Sequence, residues 1–153
     1  MPDSAQTVGC TCFALRKLTR TVTRLYDQHL AEAGIKTTQY SLLRWIAREP
    51  VPIAALAARM NTERTTLTRN LKPLIDAGWV VLKPGRDARQ RIATITPSGR
   101  RVIDSARNAW RTAQAKLEGA LGTAAVLDLH ARVDQALVLL NPLLERSTDE
   151  LED

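Results

Sequence analysis

Apolar residues recur along this chain at steps of three and four, interrupted by one segment where they run at strand spacing. Leu15, Leu18, Val22 and Leu25 alternate with Arg16, Lys17, Arg20 and Arg24, which predicts an amphipathic helix of about 20 residues. Thr11 or Thr7 can cap its start and Gly34 its end. Thr37 or Thr38 can cap a second helix, whose apolar positions Tyr40, Leu43 and Ile46 stop before Pro50 and Pro52. Ile53 to Met60 reads as a short alanine-rich helix, and Asn61-Thr62 as a turn and cap. The next helix carries Leu67, Leu71, Leu74 and Ile75 on one face and closes at Gly78. Pro73 falls inside it and is expected to kink or weaken its C-terminal half.

The period then changes. Trp79 to Lys83 reads as a strand, Pro84-Gly85 as a turn, Arg86 to Arg91 as a polar tip and Ile92 to Ile95 as the returning strand. Thr96-Pro97 fits an N-cap with proline at the first helical position. It starts a long helix through Val102, Ile103, Ala106, Ala109 and Trp110 to about Leu121. A last helix spans roughly Thr123 to Arg146, with Val126, Leu129, Val133, Leu137, Leu140 and Leu144 forming a seam for another helix. The acidic end, Asp149 to Asp153, is expected to fray. The fold class is mainly α with a small β-hairpin wing, a winged helix-turn-helix.

Charge sharpens this reading because it is localised. Residues 53–101 hold ten Lys/Arg against Glu63, Asp76 and Asp87, whereas the whole chain of 153 residues is only +6. A concentrated positive patch is what counterion release from a phosphate backbone rewards, so double-stranded DNA leads the list of partners. On the helix after Asn61, residues 64, 65, 68, 69 and 72 form a stripe of Arg, Thr, Thr, Arg and Lys opposite the leucine face. Such a stripe can enter a major groove, arginine reading guanine and threonine offering a hydroxyl and a methyl. Arg86, Arg89 and Arg91 on the narrow hairpin tip can enter a minor groove. The candidate DNA-contacting set is Thr62, Arg64, Thr65, Thr66, Thr68, Arg69, Lys72, Arg86, Asp87, Arg89 and Arg91.

The remaining composition excludes more than it adds. At 44% hydrophobic and 25% charged the chain has the make-up of one globular domain. It has no run of about 18 apolar residues and no basic-then-apolar leader, so no membrane span is expected and the cytoplasm is the expected location. Cys10 and Cys12 are too close to staple a fold. With His29 and His130 isolated in sequence they complete no tetrahedral metal set, and no cofactor or metal is expected. Neither a Gly-rich phosphate loop nor a Ser/His/Asp arrangement is present, and no histidine neighbours the thiols. A small thiol-dependent enzyme using Cys12 is therefore the distant alternative to a DNA-binding protein. Trp45, Trp79 and Trp110 read as core or interface anchors.

Four segments in order, Arg64-Thr-Thr-Leu-Thr-Arg-Asn-Leu71, Asp76-Ala-Gly-Trp-Val80, Asp87-Ala-Arg89 and Thr96-Pro-Ser-Gly99, resemble the characteristic text of the MarR family of dimeric transcriptional regulators. The resemblance runs from about residue 9 to 146. It implies a single domain over 1–153, with a winged helix-turn-helix lobe at 37–101. Residues 9–34 and 102–146 would supply N- and C-terminal helices forming a dimer platform. It further implies a homodimeric repressor on a pseudo-palindromic operator, a tolerated proline at position 73, and an Asp87 that orients Arg89 by a charge-assisted pair.

Cys12-Phe-Ala-Leu15, with Tyr26 and Gln39-Tyr40 downstream, is similar to the organic-hydroperoxide-sensing branch of that family. That likeness implies a reactive Cys12 near a helix start, hydrogen-bonded by tyrosine at position 26, with Cys10 as a resolving thiol. Thr37 stands where that branch has a further tyrosine, so the set is incomplete. The other effector implied by the family is a small aromatic acid or phenol near Arg16, Tyr26, Tyr40, Arg44 and Trp45.

Overall fold

The computed structural model describes residues 9–87 and 89–149, the last five by their backbone alone. Thr7 and residues 150–153 of the acidic tail lie outside the described residues. Six α-helices and three short strands follow one another among the described residues: α1 Thr11–Leu30, α2 Thr37–Arg48, β1 Val51–Pro52, α3 Ile53–Arg59, α4 Arg64–Asp76, β2 Val80–Pro84, β3 Arg91–Ile95, α5 Pro97–Leu121 and α6 Thr123–Asp149. A 3₁₀ turn, Ala31–Ala33, continues α1 to Gly34, which takes the left-handed conformation.

Three helix starts differ from the expected caps. Cys10, not Thr11, occupies the N-cap of α1 and offers no side-chain cap bond, while Thr11 is already helical. Lys36, not Thr37 or Thr38, precedes α2, and its backbone N–H donates to Gln39 Oε1 at 2.9 Å. Thr37 is tied to α1 instead: its N–H and its Oγ1 both donate to Asp27 Oδ1, at 2.7 and 2.6 Å. A carboxylate outcompetes local capping when tertiary structure brings one to the helix start. Glu63, not Thr62, precedes α4. The intervening turn bends through Asn61 at φ 47°, a residue type that tolerates this region.

Helix α4 runs unbroken through Pro73, which is exposed and forfeits only its own backbone donor. It ends in a Schellman motif: Gly78 at φ 72° donates to Ile75 O, and Trp79 N–H donates to Leu74 O at 2.9 Å. The expected cap at Thr96 is present, its Oγ1 accepting the Gly99 N–H at 3.1 Å. Thr96 also locks α5 onto the exit of α4, its hydroxyl donating to Gly78 O at 2.7 Å and its N–H to Trp79 O at 3.0 Å. Gly99 completes that lock. A Cβ there would lie 2.3 Å from Trp79 O, so only glycine fits.

The wing is an antiparallel hairpin, with Val80 opposite Ile95 and Pro84 opposite Arg91. Sequence periodicity did not reveal β1, whose two residues pair with β3 through Val51–Ala93 and Pro52–Ile92 to give the order β1-β3-β2. Pro52 cannot donate to a ladder, and its place on the edge makes that harmless.

The core of this lobe is Leu42, Leu43, Ile46, Val51, Leu56, Leu67, Leu71, Leu74, Val80 and Ala93, all buried. Tyr26 and Leu30 bring the end of α1 into it. The chain divides into two compact units between Ala113 and Gln114, inside α5. Among the described residues no helix is long and apolar enough to cross a membrane.

Candidate nucleic-acid interface and effector pocket

The stripe expected on the helix after Asn61 is realised on α4. Arg64, Thr65, Thr68, Arg69 and Lys72 are exposed and line one open groove with Ile75 and Asp76. Leu67, Leu71 and Leu74 hold the opposite side in the core, so the cationic residues face outward without choice. Two details qualify the set. Thr68 Oγ1 donates to Arg64 O at 2.9 Å, which leaves its methyl as the freer group. Lys72 Nζ pairs with Asp76 at 2.8 Å in full view of solvent. Thr62 and Thr66 are half-buried and do not line the groove.

Arg64 belongs to a second concavity as well. With Arg89, Arg91, Gln90 and Asp87 of the wing and Ile53 of α3, it lines a pocket of about 200 Å³. The recognition helix and the wing therefore share one positive corner. The loop that makes it is closed by Gly85 N–H on Gln90 O and Gln90 N–H on Asp87 O, both at 2.9 Å. Asp87 does hold Arg89, but by a different bond from the expected one. Its carboxylate accepts the Arg89 backbone N–H at 3.0 Å, and among the described ion pairs none joins the two side chains. The acidic residue shapes the turn as an Asx motif and leaves the guanidinium unengaged. Arg86 is exposed on the same loop.

A third arrangement lies where α1, α2 and the first half of α5 meet. Trp110 stacks on Tyr40 with centroids 6.2 Å apart and packs against Tyr26 at 6.5 Å. The Arg44 guanidinium lies 4.9 Å from the Trp110 ring centre and 5.9 Å from that of Tyr40. Two small cavities flank Arg44. One, about 230 Å³, is lined by Tyr40, Ser41, Arg44, Trp45, Arg48 and Trp110. The other, about 250 Å³, is lined by Tyr40, Arg44, Ile103, Arg107, Trp110 and Arg111. Burial raises the Tyr40 pKa above its ordinary value, outweighing the lowering by Arg44, Arg107 and Arg111, so its hydroxyl stays a neutral donor. Trp45 is clamped by Arg48 at 4.5 Å and Arg59 at 5.6 Å, and Arg59 pairs with Glu49 at 2.9 Å.

Of the expected effector residues, Tyr26, Tyr40, Arg44 and Trp45 come together here. Arg16 does not. It stands ten residues before Tyr26 on α1, roughly 15 Å along the helix at the standard rise. Sequence reasoning missed Arg48, Arg107 and Arg111 and treated Trp110 as a mere anchor. The available signal was Ile103, Arg107, Trp110 and Arg111 at steps of four, three and one on a single helix.

Cys10 and Cys12 are both exposed, in the cap and first turn of α1. The expected bond from Tyr26 to Cys12 is not made within one chain, because fourteen residues of helix separate them by roughly 21 Å.

A sequence profile described as MarR family matches residues 33–90. A curated HTH-type transcriptional regulator of Bacillus subtilis, YwoH, is 27% identical over 78 residues, which is 50% of this chain and 57% of that protein. The matched stretch thus spans little more than half of the curated relative. The transcriptional regulator MosR of M. tuberculosis, in complex with DNA, superposes with a TM-score of 0.77 and 34% identity over 85% of this chain and 97% of that one. Mutant MarR from E. coli, complexed with operator DNA, gives a TM-score of 0.73 at 20% identity, covering 81% of this chain and 91% of that one, a likeness of fold.

Proposed function

The chain belongs to the MarR family of transcriptional regulators, and from that premise we propose that it is a cytoplasmic repressor, bound to a pseudo-palindromic operator as a homodimer and released by oxidation of Cys12. As a family member it is a DNA-binding regulator and not an enzyme. The observation that carries the operator reading is the corner at Arg64, where the α4 groove and the wing pocket meet and no carboxylate neutralises Arg64, Arg69, Arg89 or Arg91 among the described residues. Lys72, Arg69 and Thr65 would enter the major groove, with Arg89 and Arg91 following the backbone into the adjacent minor groove.

Exposed apolar side chains support the homodimer. Phe13, Leu15 and Leu18 on α1, and Val133, Leu137, Leu140 and Leu144 on α6, are uncovered in the single chain. Exposure of both thiols supports the switch. A hydroperoxide would oxidise the Cys12 thiolate: an S–O bond forms, the O–O bond breaks, and water or an alcohol leaves. The Cys10 thiol would then displace the hydroxyl as water, giving a disulfide. Cys10 O accepts the Ala14 N–H at 3.1 Å, so bridging Cys10 to Cys12 would strain the first turn of α1.

The test is operator binding before and after mild peroxide, then after reductant, for the parent and for Cys12→Ser. The parent should dissociate and recover, while Cys12→Ser should stay bound throughout. A Cys12→Ser protein that responds like the parent removes the redox reading. The cavities around Arg44 favour a second one, a small aromatic acid or phenol as effector, with the cysteines structural.

A further inference from the structure

Two helices lead out of the winged lobe, and they are fastened differently. Helix α5 starts at the Thr96 lock, where side-chain and backbone bonds hold it to the exit of α4. Helix α1 reaches the lobe through a joint. After Leu30 come the 3₁₀ turn Ala31–Ala33, Gly34 at φ 69°, Ile35 and Lys36, and only then does α2 begin. Residues 11–21 of α1 are all exposed, and Phe13, Leu15 and Leu18 among them are apolar side chains left for a second copy. The angle at the joint therefore sets the direction of the arm by which a dimer is held, and with it the separation of the two recognition helices.

Apolar contact alone does not fix such an angle. Tyr26, Leu30 and Ile35 are buried around the joint, but hydrophobic burial is non-directional and tolerates rolling and sliding. Direction comes from one carboxylate. Half-buried Asp27 reaches across the joint, its Oδ1 accepting the Thr37 N–H at 2.7 Å and the Thr37 hydroxyl at 2.6 Å. That N–H is one of those the first turn of α2 leaves without an intrahelical acceptor, and the ammonium side chain of Lys36 cannot take it. A negative charge from α1 thus sits on the positive end of α2. Charge-assisted bonds to two atoms of one residue restrain rotation as well as distance. Helix α2 in turn packs on α4 and β3, its Leu42, Leu43 and Ile46 sharing the core with Leu67, Leu71 and Leu74. A restraint on α2 is a restraint on the recognition helix.

Resting on the reading of the protein as an operator-bound homodimer, we propose that Asp27 and Thr37 form a pin that decides which separation of half-sites the protein accepts. Both are positioning residues, acting on the DNA through the arm and not by contact. One base pair added between half-sites moves the second by roughly 3.4 Å along the duplex and turns it by roughly 35°. A pinned arm does not follow that change, and an unpinned one does.

The parent protein would first select duplexes from a randomised pool. The recovered duplex would then be remade with one or two base pairs inserted or removed at its centre. Affinities at fixed salt are compared for the parent, Asp27→Ala, Asp27→Asn, Thr37→Val and Thr37→Ser, with sedimentation to show that each is still a dimer. In the parent a one-base-pair change should weaken binding about tenfold or more, the scale of a lost operator position. In Asp27→Ala that penalty should shrink by about fivefold, the worth of the charge-assisted bonds removed. Thr37→Ser keeps both donors and should match the parent. Thr37→Val keeps the N–H alone and Asp27→Asn a neutral acceptor, so both should fall between, and they carry the comparison where Asp27→Ala does not fold. Thr37→Val added to Asp27→Ala should bring no further tolerance, because the hydroxyl has already lost its acceptor.

A merely structural bond would lower affinity at every spacing alike. Equal losses at all spacings in Asp27→Ala, a parent that itself tolerates the altered spacings, or a Thr37→Ser protein as permissive as Asp27→Ala each overturns the proposal. A parent that selects no duplex, or binds one as a monomer, overturns the operator reading and this inference with it. A parent that selects a two-fold duplex, with a spacing profile that Asp27→Ala leaves unchanged, sinks this inference alone.

Discussion

Helices α4 and α6 carry the same kind of amphipathic pattern and meet opposite fates. In α4 the leucines at 67, 71 and 74 are no more than 1% exposed, closed over by the rest of the winged lobe, and the cations on the other side are left to solvent. In α6 Val126 is buried, but Leu137, Leu140 and Leu144 are exposed by 36, 55 and 70%. One seam is satisfied within the chain, and the other is left uncovered in the single chain. Covering a leucine side chain contributes about 1.5–3 kcal/mol, so a second copy placing several such residues out of water has ample driving force. An apolar stripe announces that a face will be covered, and only the surrounding chain decides by what.

The contrast predicts its own largest effect. Leu137→Glu on a monomer would cost under about 0.5 kcal/mol, as surface changes do. Within a dimer seam it buries an unpaired charge and should cost roughly 3–5 kcal/mol of assembly. Sedimentation equilibrium at micromolar concentration should therefore find dimer in the parent and monomer in the variant. A parent that sediments as a folded monomer breaks the comparison, because α6 would then be an exposed helix with no partner. The matching change in the other seam is Leu71→Ala. It should lower unfolding stability by roughly 2–5 kcal/mol in urea through the cavity it leaves. If both substitutions cost the same at every protein concentration, the two seams are not different in kind.

Much of this was legible in the sequence because the signals were local. Period, glycine and proline punctuation, and the change to strand spacing after Gly78 set the helices and the hairpin within a residue or two, save that the last helix runs to Asp149, three residues beyond its expected end. The recognition stripe was legible for the same reason, since it is the complement of the Leu67/Leu71/Leu74 face. What sequence could not supply were partners distant along the chain. Thr37 looked like a cap and is a ligand of Asp27, ten residues earlier. The strand β1 is two residues long, with no period to detect, and exists only because β3 lies beside it. Arg107 and Arg111 joined the cavity beside Arg44 because residues of α5 and α2 line it together, a fact of packing that no spacing encodes. The cysteine and tyrosine of the expected sensor share one helix, and the rise of that helix holds them apart in a single chain.

Within the DNA face, a subtler pair of substitutions sharpens the comparison between helix and wing. Arg69→Ala should weaken operator binding by roughly 1–3 kcal/mol and relax sequence preference, as loss of a base-reading arginine does. Arg89→Ala should weaken specific and random DNA more evenly and flatten the salt slope by about 1. Titrations at several salt concentrations, on operator and scrambled duplexes, separate the two. Equal losses on both duplexes from both variants would mean that α4 is not the reading element.

The smallest effect comes from the exposed ion pair inside the α4 groove. Lys72 and Asp76 sit one helical turn apart, with side chains 73 and 60% exposed, so the pair is well solvated. Asp76→Asn should change folding stability by no more than about 0.5 kcal/mol, the usual worth of such a pair on a helix surface. Its effect on DNA should have the opposite sign. Among the described residues Asp76 is the one carboxylate lining the groove, and it holds the Lys72 ammonium that would otherwise meet a phosphate. Removing it should tighten binding to operator and random duplex alike and steepen the salt dependence by up to about 1. Thermal melting and salt-dependent binding on the same preparation test both halves. Weaker binding with unchanged stability would show that Asp76 positions Lys72 for the DNA instead of restraining it, and the groove would then be an ordered contact surface instead of a simple field of positive charge.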